Sequence, residues 1–324
     1  MKRLEYVDIF RGVAILIMIF IEIFDFLSRK NIYTDAPWYV SQINSITWVP
    51  PVWLFTMVVG MSVFLLIEKA ENMQRWKSVW LAAKRYLPYV LISLPFTIVM
   101  WGLPTYVGWN EALQGIGLTA VFAAIIFSFR LKTKHLLALV IGFALLHTGL
   151  NSINFGISSI VINALWKGWF SVSNLLPFML AGAVCLQFLR EGKLRKLLLL
   201  GFAFTMISLI LNFAGFRIDF YGRSFASFFF GIGESALIMS AVFWIWQRTK
   251  MRAWNVIGNF GKAAIVAYLG HYLLIGLPSR KLGIVLPDIW VLVLTPVLIA
   301  GIYLLCLFYL RLKLKIKSRK LTTG

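Results

Sequence analysis

Residues 289–310 read IWVLVLTPVLIAGIYLLCLFYL, and residues 311–320 read RLKLKIKSRK. The first stretch carries no charged side chain. As a helix rising 1.5 Å per residue it is about 33 Å long, enough to cross the hydrocarbon core of a bilayer. The second stretch holds six cations and no acid. An apolar helix that ends in clustered Lys and Arg is a membrane span with its cytoplasmic anchor. Further apolar runs cover 7–28, 48–68, 86–103, 111–129, 135–151, 171–189, 196–215, 224–247 and 255–277. The composition agrees with this reading: 60% of the 324 residues are hydrophobic, only 14% are charged, and mean hydropathy is +0.83. The expected fold class is therefore all-α, a polytopic integral membrane protein with about 10 transmembrane helices. It is expected to form a single domain, 1–324, ending in a basic cytoplasmic tail at 311–324.

The net charge is +20, which on a soluble protein would point to nucleic acid. Its distribution gives a different reason. With the N-terminus inside, the inner segments carry 23 Lys and Arg and the outer segments 7, while Arg11 and Lys262 lie within spans. This is the positive-inside asymmetry, and it predicts a multi-pass protein of the cell membrane with both termini cytoplasmic. The first apolar run contains Asp8, Arg11, Glu22 and Asp25 and lacks a small-residue cleavage site, so it is expected to stay as a span. Cys185 and Cys306 both fall inside spans, and no CxxC, HExxH or Walker sequence occurs, so no metal is expected. No internal repeat is visible, which weighs against the inverted-repeat transporters. The longest outer segment, 28–47, contains Asp35-Ala36-Pro37-Trp38. Residues 151–168 are expected to hold a short interfacial helix.

Ionisable groups are costly in hydrocarbon and mark pathways, partners or chemistry. Asp8 and Arg11, three apart near the cytoplasmic end of the first span, share a helix face and can pair; Gly12 next to them permits close helix approach. Lys262 sits toward the inner end of its span. Glu22 lies about 16 Å farther along the first helix than Arg11, in the outer half, with Asp25 one turn beyond. His147 and His271 also fall in outer halves, and histidine titrates near neutrality and serves as a general base. Gln114 and Asn174 open their spans at outer levels, Glu234 lies nearer the middle, and His135 sits at the cytoplasmic edge. A structural reading remains for each: a helix-anchoring ion pair, a snorkelling lysine, an interhelical histidine bond.

The segment Arg3-Leu-Glu-Tyr-Val-Asp8-Ile-Phe-Arg11-Gly12 resembles the opening motif, R-x-x-x-x-D-x-x-R-G, of the transmembrane acyltransferases related to heparan-α-glucosaminide N-acetyltransferase. Pro51–Gly60 is similar to that family's P-x-F-x-F-x-x-G helix, with stretched spacing. Residues 112–118, ALQGIGL, resemble its V-L-Q-R-I-G-L helix. Gly258 to Lys262 with Ala267-Tyr268-Leu269-Gly270-His271 resembles its late G-x-x-S/P-L-x-x-Y-x-x-H helix. The stretches follow the family's order across nearly the whole chain. This chain has Glu22 where the family usually places His or Asn, Asp35 at the loop position of a proposed catalytic His, and Gly115 where Arg is common.

The resemblance implies a helix bundle around a central tunnel, with acetyl-CoA entering from the cytoplasm and an amino sugar acetylated on the outer side. The expected function is transfer of an acetyl or other acyl group from acyl-CoA to an amino sugar, glycan or glycolipid. Direct transfer is expected, assisted by a base among His271, Glu22, Asp35, His147 and Asp25. Donor-binding candidates are Asp8, Arg11, Lys262, Gln114 and Asn174. Expected partners are acyl-CoA, the acceptor and the bilayer, with no nucleic acid; a homodimer is one assembly the chain could form. The alternative reading is a proton-coupled transporter or flippase using intramembrane Glu and His as a relay.

Overall fold

The computed structural model describes residues 4–28, 51–109, 111–151, 159–216, 218, 224–249 and 251–322. Among them every regular element is a helix, the form in which a chain in hydrocarbon satisfies its backbone N–H and C=O groups within one segment. In chain order these are α1 (Glu5–Ser28), α2 (Pro51–Lys69), α3 (Arg75–Trp101), α4 (Leu103–Val107), α5 (Ala112–Phe127) and α6 (Thr133–Asn151). A short helix α7 (Ile160–Ile162) runs on into a π-helical turn, Asn163–Lys167, within the stretch expected to hold an interfacial helix. Then come α8 (Val172–Arg190), α9 (Leu194–Phe213), α10 (Phe225–Arg248), α11 (Ala253–Lys262), α12 (Ala264–Leu282) and α13 (Asp288–Thr322).

Six of these helices, α2, α6, α8, α9, α10 and α13, are long and apolar enough to cross a membrane. The pair α11 and α12, bent by 83°, makes a seventh if taken as one span. The chain is thus a multi-pass membrane protein. The other expected spans also fall on helices, with features that set them apart. α1 is 24 residues long but carries several ionisable side chains, Asp8, Arg11, Glu22 and Asp25 among them. α3 has Arg75, Lys77, Lys84 and Arg85 in its first half and Pro88 and Pro95 in its interior. α5 has only 16 residues.

The chain divides into two compact units, one formed by 52–242 and the other by the N-terminal segment up to Pro51 together with 243–324. In the first, α8 is buried along most of its length. Membrane helices gain little from the hydrophobic effect against one another and rely on close packing, so small residues mark the crossings. At Gly60 a side chain would collide with the Met179 backbone, and at Gly182 with the Met57 backbone, so α2 and α8 touch main chain to main chain. Trp53 stacks on Phe178 at 5.0 Å, and Phe178 in turn meets Phe228 at 5.5 Å.

The second unit repeats this device. A Cβ at Gly12 would strike the Ile257 carbonyl, and one at Gly261 would strike the Asp8 carbonyl, so α1 and α11 cross with backbones in contact. Tyr6 packs edge-on against Phe243, and Phe260 lies against Tyr303. Gly142, on α6, has nothing within 4 Å of a built Cβ. Gly261→Ala and Gly60→Ala should each destabilise the protein by about 1–3 kcal/mol through overpacking. Gly142→Ala should be neutral or stabilise by up to ~1 kcal/mol through helix propensity. Thermal unfolding in one detergent reads both signs; equal effects at all three positions would refute the crossing argument.

Candidate active site

The second half of α1 presents Glu22 toward α12, and the structure brings it to His271. The Glu22 carboxylate and His271 Nε2 are hydrogen-bonded, and the other ring nitrogen, Nδ1, lies 3.3 Å from the Ala267 carbonyl. A carbonyl can only accept, so Nδ1 carries a proton, and a single further proton then lies between Nε2 and the carboxylate. The pair is imidazole with carboxylic acid or imidazolium with carboxylate, and both descriptions have zero net charge. That is the form in which an acid and a base are least costly to hold within a membrane.

Local structure fixes this contact. Tyr268 and Tyr272 flank the His271 ring at 5.5 and 4.1 Å, and Phe26 lies at 6.5 Å. Immediately after His271 the chain widens into a π-helical turn, Tyr272–Gly276, a distortion found often at functional sites. The last carbonyls of α1, which have no partner within their own helix, are taken by the end of α12 and by the irregular stretch beyond Gly283. Ser279 Oγ donates to the Phe26 carbonyl, and Leu286 N–H donates to the Leu27 carbonyl at 2.8 Å. Gly283, in the left-handed region at φ 66°, closes α12 and lets the chain turn back. Exposure separates the two partners: the His271 side chain is 0% exposed and Glu22 24%. The group that can meet a substrate is therefore Glu22, with His271 behind it. Asp25, one turn on, is exposed. Asp35 lies outside the described residues.

At the other end of α1, Arg11 Nη1 lies 3.3 Å from Asp8 Oδ1 and 3.1 Å from the Gly261 carbonyl. Asp8 is buried, and Arg11 is 16% exposed. Gly261 belongs to the last turn of α11, so Arg11 caps that helix just where the chain bends toward α12. Lys262, the next residue, is exposed. The expected Asp8–Arg11 pair is present, and it also supports the helix break.

His147, in the first unit, has partners of its own. Its Nδ1 is 2.7 Å from Ser173 Oγ and its Nε2 2.6 Å from Asn151 Nδ2. The amide donates, so Nε2 accepts and Nδ1–H donates to the serine. The ring also meets the Phe228 edge at 5.3 Å. Both nitrogens are engaged, unlike a base awaiting a proton. Asn174 donates to the Trp169 carbonyl at 2.6 Å, and the backbone N–H of buried Gln114 is held at 3.0 Å by Glu111, which caps α5. Glu234 is buried on α10. Among the described residues no group of three or more His, Cys, Asp or Glu is arranged to hold a metal.

Sequence reading missed Ser173, Ser279 and both π-helical turns. Asn151, four residues after His147, was within reach of the helix spacing rule; Ser173 and Ser279 are joined to their partners only by the fold. Ser173→Ala should leave the His147 N–H without an acceptor and cost about 1–3 kcal/mol, read as a lower unfolding temperature. An unchanged temperature would show that this bond contributes nothing.

The family described as heparan-alpha-glucosaminide N-acetyltransferase, catalytic, matches residues 3–221, about two thirds of the chain. No curated protein matches it. The resemblance had been expected to run across nearly the whole chain, but the match stops before 258–271. It includes Glu22 and excludes His271, so the late stretch stands on its own geometry. With the match covering more than half of its length, the chain belongs to the heparan-alpha-glucosaminide N-acetyltransferase catalytic family of membrane acetyltransferases.

Proposed function

We propose that the protein transfers an acetyl or other acyl group from cytoplasmic acyl-CoA to an amino sugar, glycan or glycolipid on the outer side of the cell membrane. The observation that carries this reading is the Glu22–His271 pair, partly exposed on its carboxylate side and fully buried on its imidazole side. The acceptor's nitrogen or hydroxyl oxygen attacks the thioester carbonyl, the carbon–sulfur bond breaks, and CoA leaves as the thiol. Glu22 takes the proton released by the nucleophile and returns it to the departing sulfur. His271 holds the carboxylate in place through the bond between its Nε2 and the Glu22 oxygen. Transfer is direct, because Cys185 and Cys306 are buried within spans.

The donor side is assigned to Asp8, Arg11 and Lys262, where α1 meets the end of α11. Gln114 and Asn174 are donor candidates in the other unit, and Asp35, Asp25 and His147 are further acid–base candidates. About ten spans with both termini cytoplasmic fit the charge asymmetry of the loops, and a tunnel within one functional domain is what the family resemblance implies. A homodimer would show as twice the chain's mass in the purified protein.

The test is release of thiol from acetyl-CoA in the presence of glucosamine-type acceptors. Glu22→Gln should lower turnover by ~10²–10⁴-fold, the usual contribution of a general base. His271→Ala should fall in the same range, and the double variant should be little worse than either single, as for residues acting as a unit. Wild-type turnover in both single variants would remove the pair from the mechanism. Substrate flux across vesicles without thiol release would favour a transporter instead.

A further inference from the structure

A second site lies in the first unit, in the segments that the charge pattern assigns to the cytoplasm. A cleft of about 190 Å³ opens between the turn joining α2 to α3 and the end of α5. Arg75, Arg130, Ser78, Ser128 and Phe129 line it, and no carboxylate does. Three features set it apart from a merely basic loop.

The first is that the guanidinium groups are held by structure. Arg75 lies over the Phe129 ring at 4.6 Å, which orients its planar fork. Arg130 donates to the Glu71 carbonyl across the turn. The second is backbone strain. Arg130 sits in the left-handed region at φ 53°, uncommon for a residue with a side chain and costing about 1–3 kcal/mol where the surroundings impose it. The third is charge. Two acids, Glu68 and Glu71, line an adjoining cleft that shares Arg130, and Glu68 takes two bonds from Arg190 at 2.7 and 2.6 Å. α3 also opens with Arg75 and Lys77 and no acid in its first turn, the reverse of what suits the positive end of a helix. Two oriented forks in one cleft whose own lining holds no carboxylate call for a polyvalent anion.

We infer that this cleft binds a phosphate group, held by Arg75 and Arg130. Bidentate contacts from a guanidinium to phosphate oxygens are strong and directional, and at about 190 Å³ the cleft has room for a phosphate together with part of whatever group carries it. The same chemistry serves a phospholipid headgroup at the membrane surface and a soluble phosphate.

The purified full-length protein provides the test. Inorganic phosphate, against chloride at equal ionic strength, should raise the unfolding temperature of the wild type if the ligand is soluble. Native mass spectrometry should show phosphatidylglycerol retained in preference to phosphatidylcholine if the natural source is a lipid. Arg75→Gln should weaken the effective interaction about tenfold or more, the loss of one charge-assisted contact, and Arg130→Gln should do the same if it folds. Lys132→Gln and Lys134→Gln, on the same loop but outside the cleft lining, should leave binding unchanged. A response to free phosphate identifies a soluble ligand, and a response to phosphatidylglycerol alone identifies a headgroup. If neither probe separates Arg75→Gln from wild type, or if Lys132→Gln and Lys134→Gln lose binding equally, there is no phosphate site and the loop is basic for topology alone.

Discussion

The crossing of α1 over α11 is the constraint on which the second unit depends. Gly12 and Gly261 leave out the side-chain atoms that would keep the two backbones apart. Once they meet, Arg11 reaches the Gly261 carbonyl while keeping Asp8. That contact satisfies the end of α11 where the chain bends by 83° into α12. The bend sets the course of α12, and α12 carries His271 to Glu22. The distal end of α1 is tied by Ser279 and the Leu286 N–H. One helix pinned at both ends thus defines the register of the acid and the base.

The first unit follows the same rule with different groups. In a low dielectric each buried polar side chain must find a partner or carry a penalty of a few kcal/mol. His147, Ser173, Asn151 and Asn174 find theirs in one another and in backbone carbonyls. Such bonds stabilise the fold. The Glu22–His271 pair differs in one respect: part of its carboxylate remains exposed.

The class of the protein and the identity of its candidate residues were legible in the sequence because hydrocarbon imposes a harsh filter. Long uncharged runs such as 289–310 become helices, and Glu22, His271, Asp8 and Arg11 stand out against them. The Asp8–Arg11 pair was readable from its spacing of three. The joining of Glu22 to His271 was legible as a shared depth, but not as a bond, since rotation about a helix axis depends on packing. His147 stood out equally, yet its nitrogens are taken by Ser173, 26 residues away, and by Asn151. The π-helical turn after His271 has no composition that announces it: YLLIG reads as ordinary helix. Gly12 was marked by its place beside Arg11, but the glycines at 60, 182 and 261 resemble the other glycines in sequence, and only the opposing backbone tells them from Gly142.

Glu22 and His271 are 249 residues apart in the chain. Protein synthesis at ~5–20 residues per second separates the appearance of the two by roughly 12–50 seconds. During that interval α1 has left the ribosome with Glu22 in its second half and no His271 beside it. The contact that settles this end of α1 is therefore among the last to form, and a chain that ended after α10 would carry Glu22 without the imidazole it meets in the folded protein.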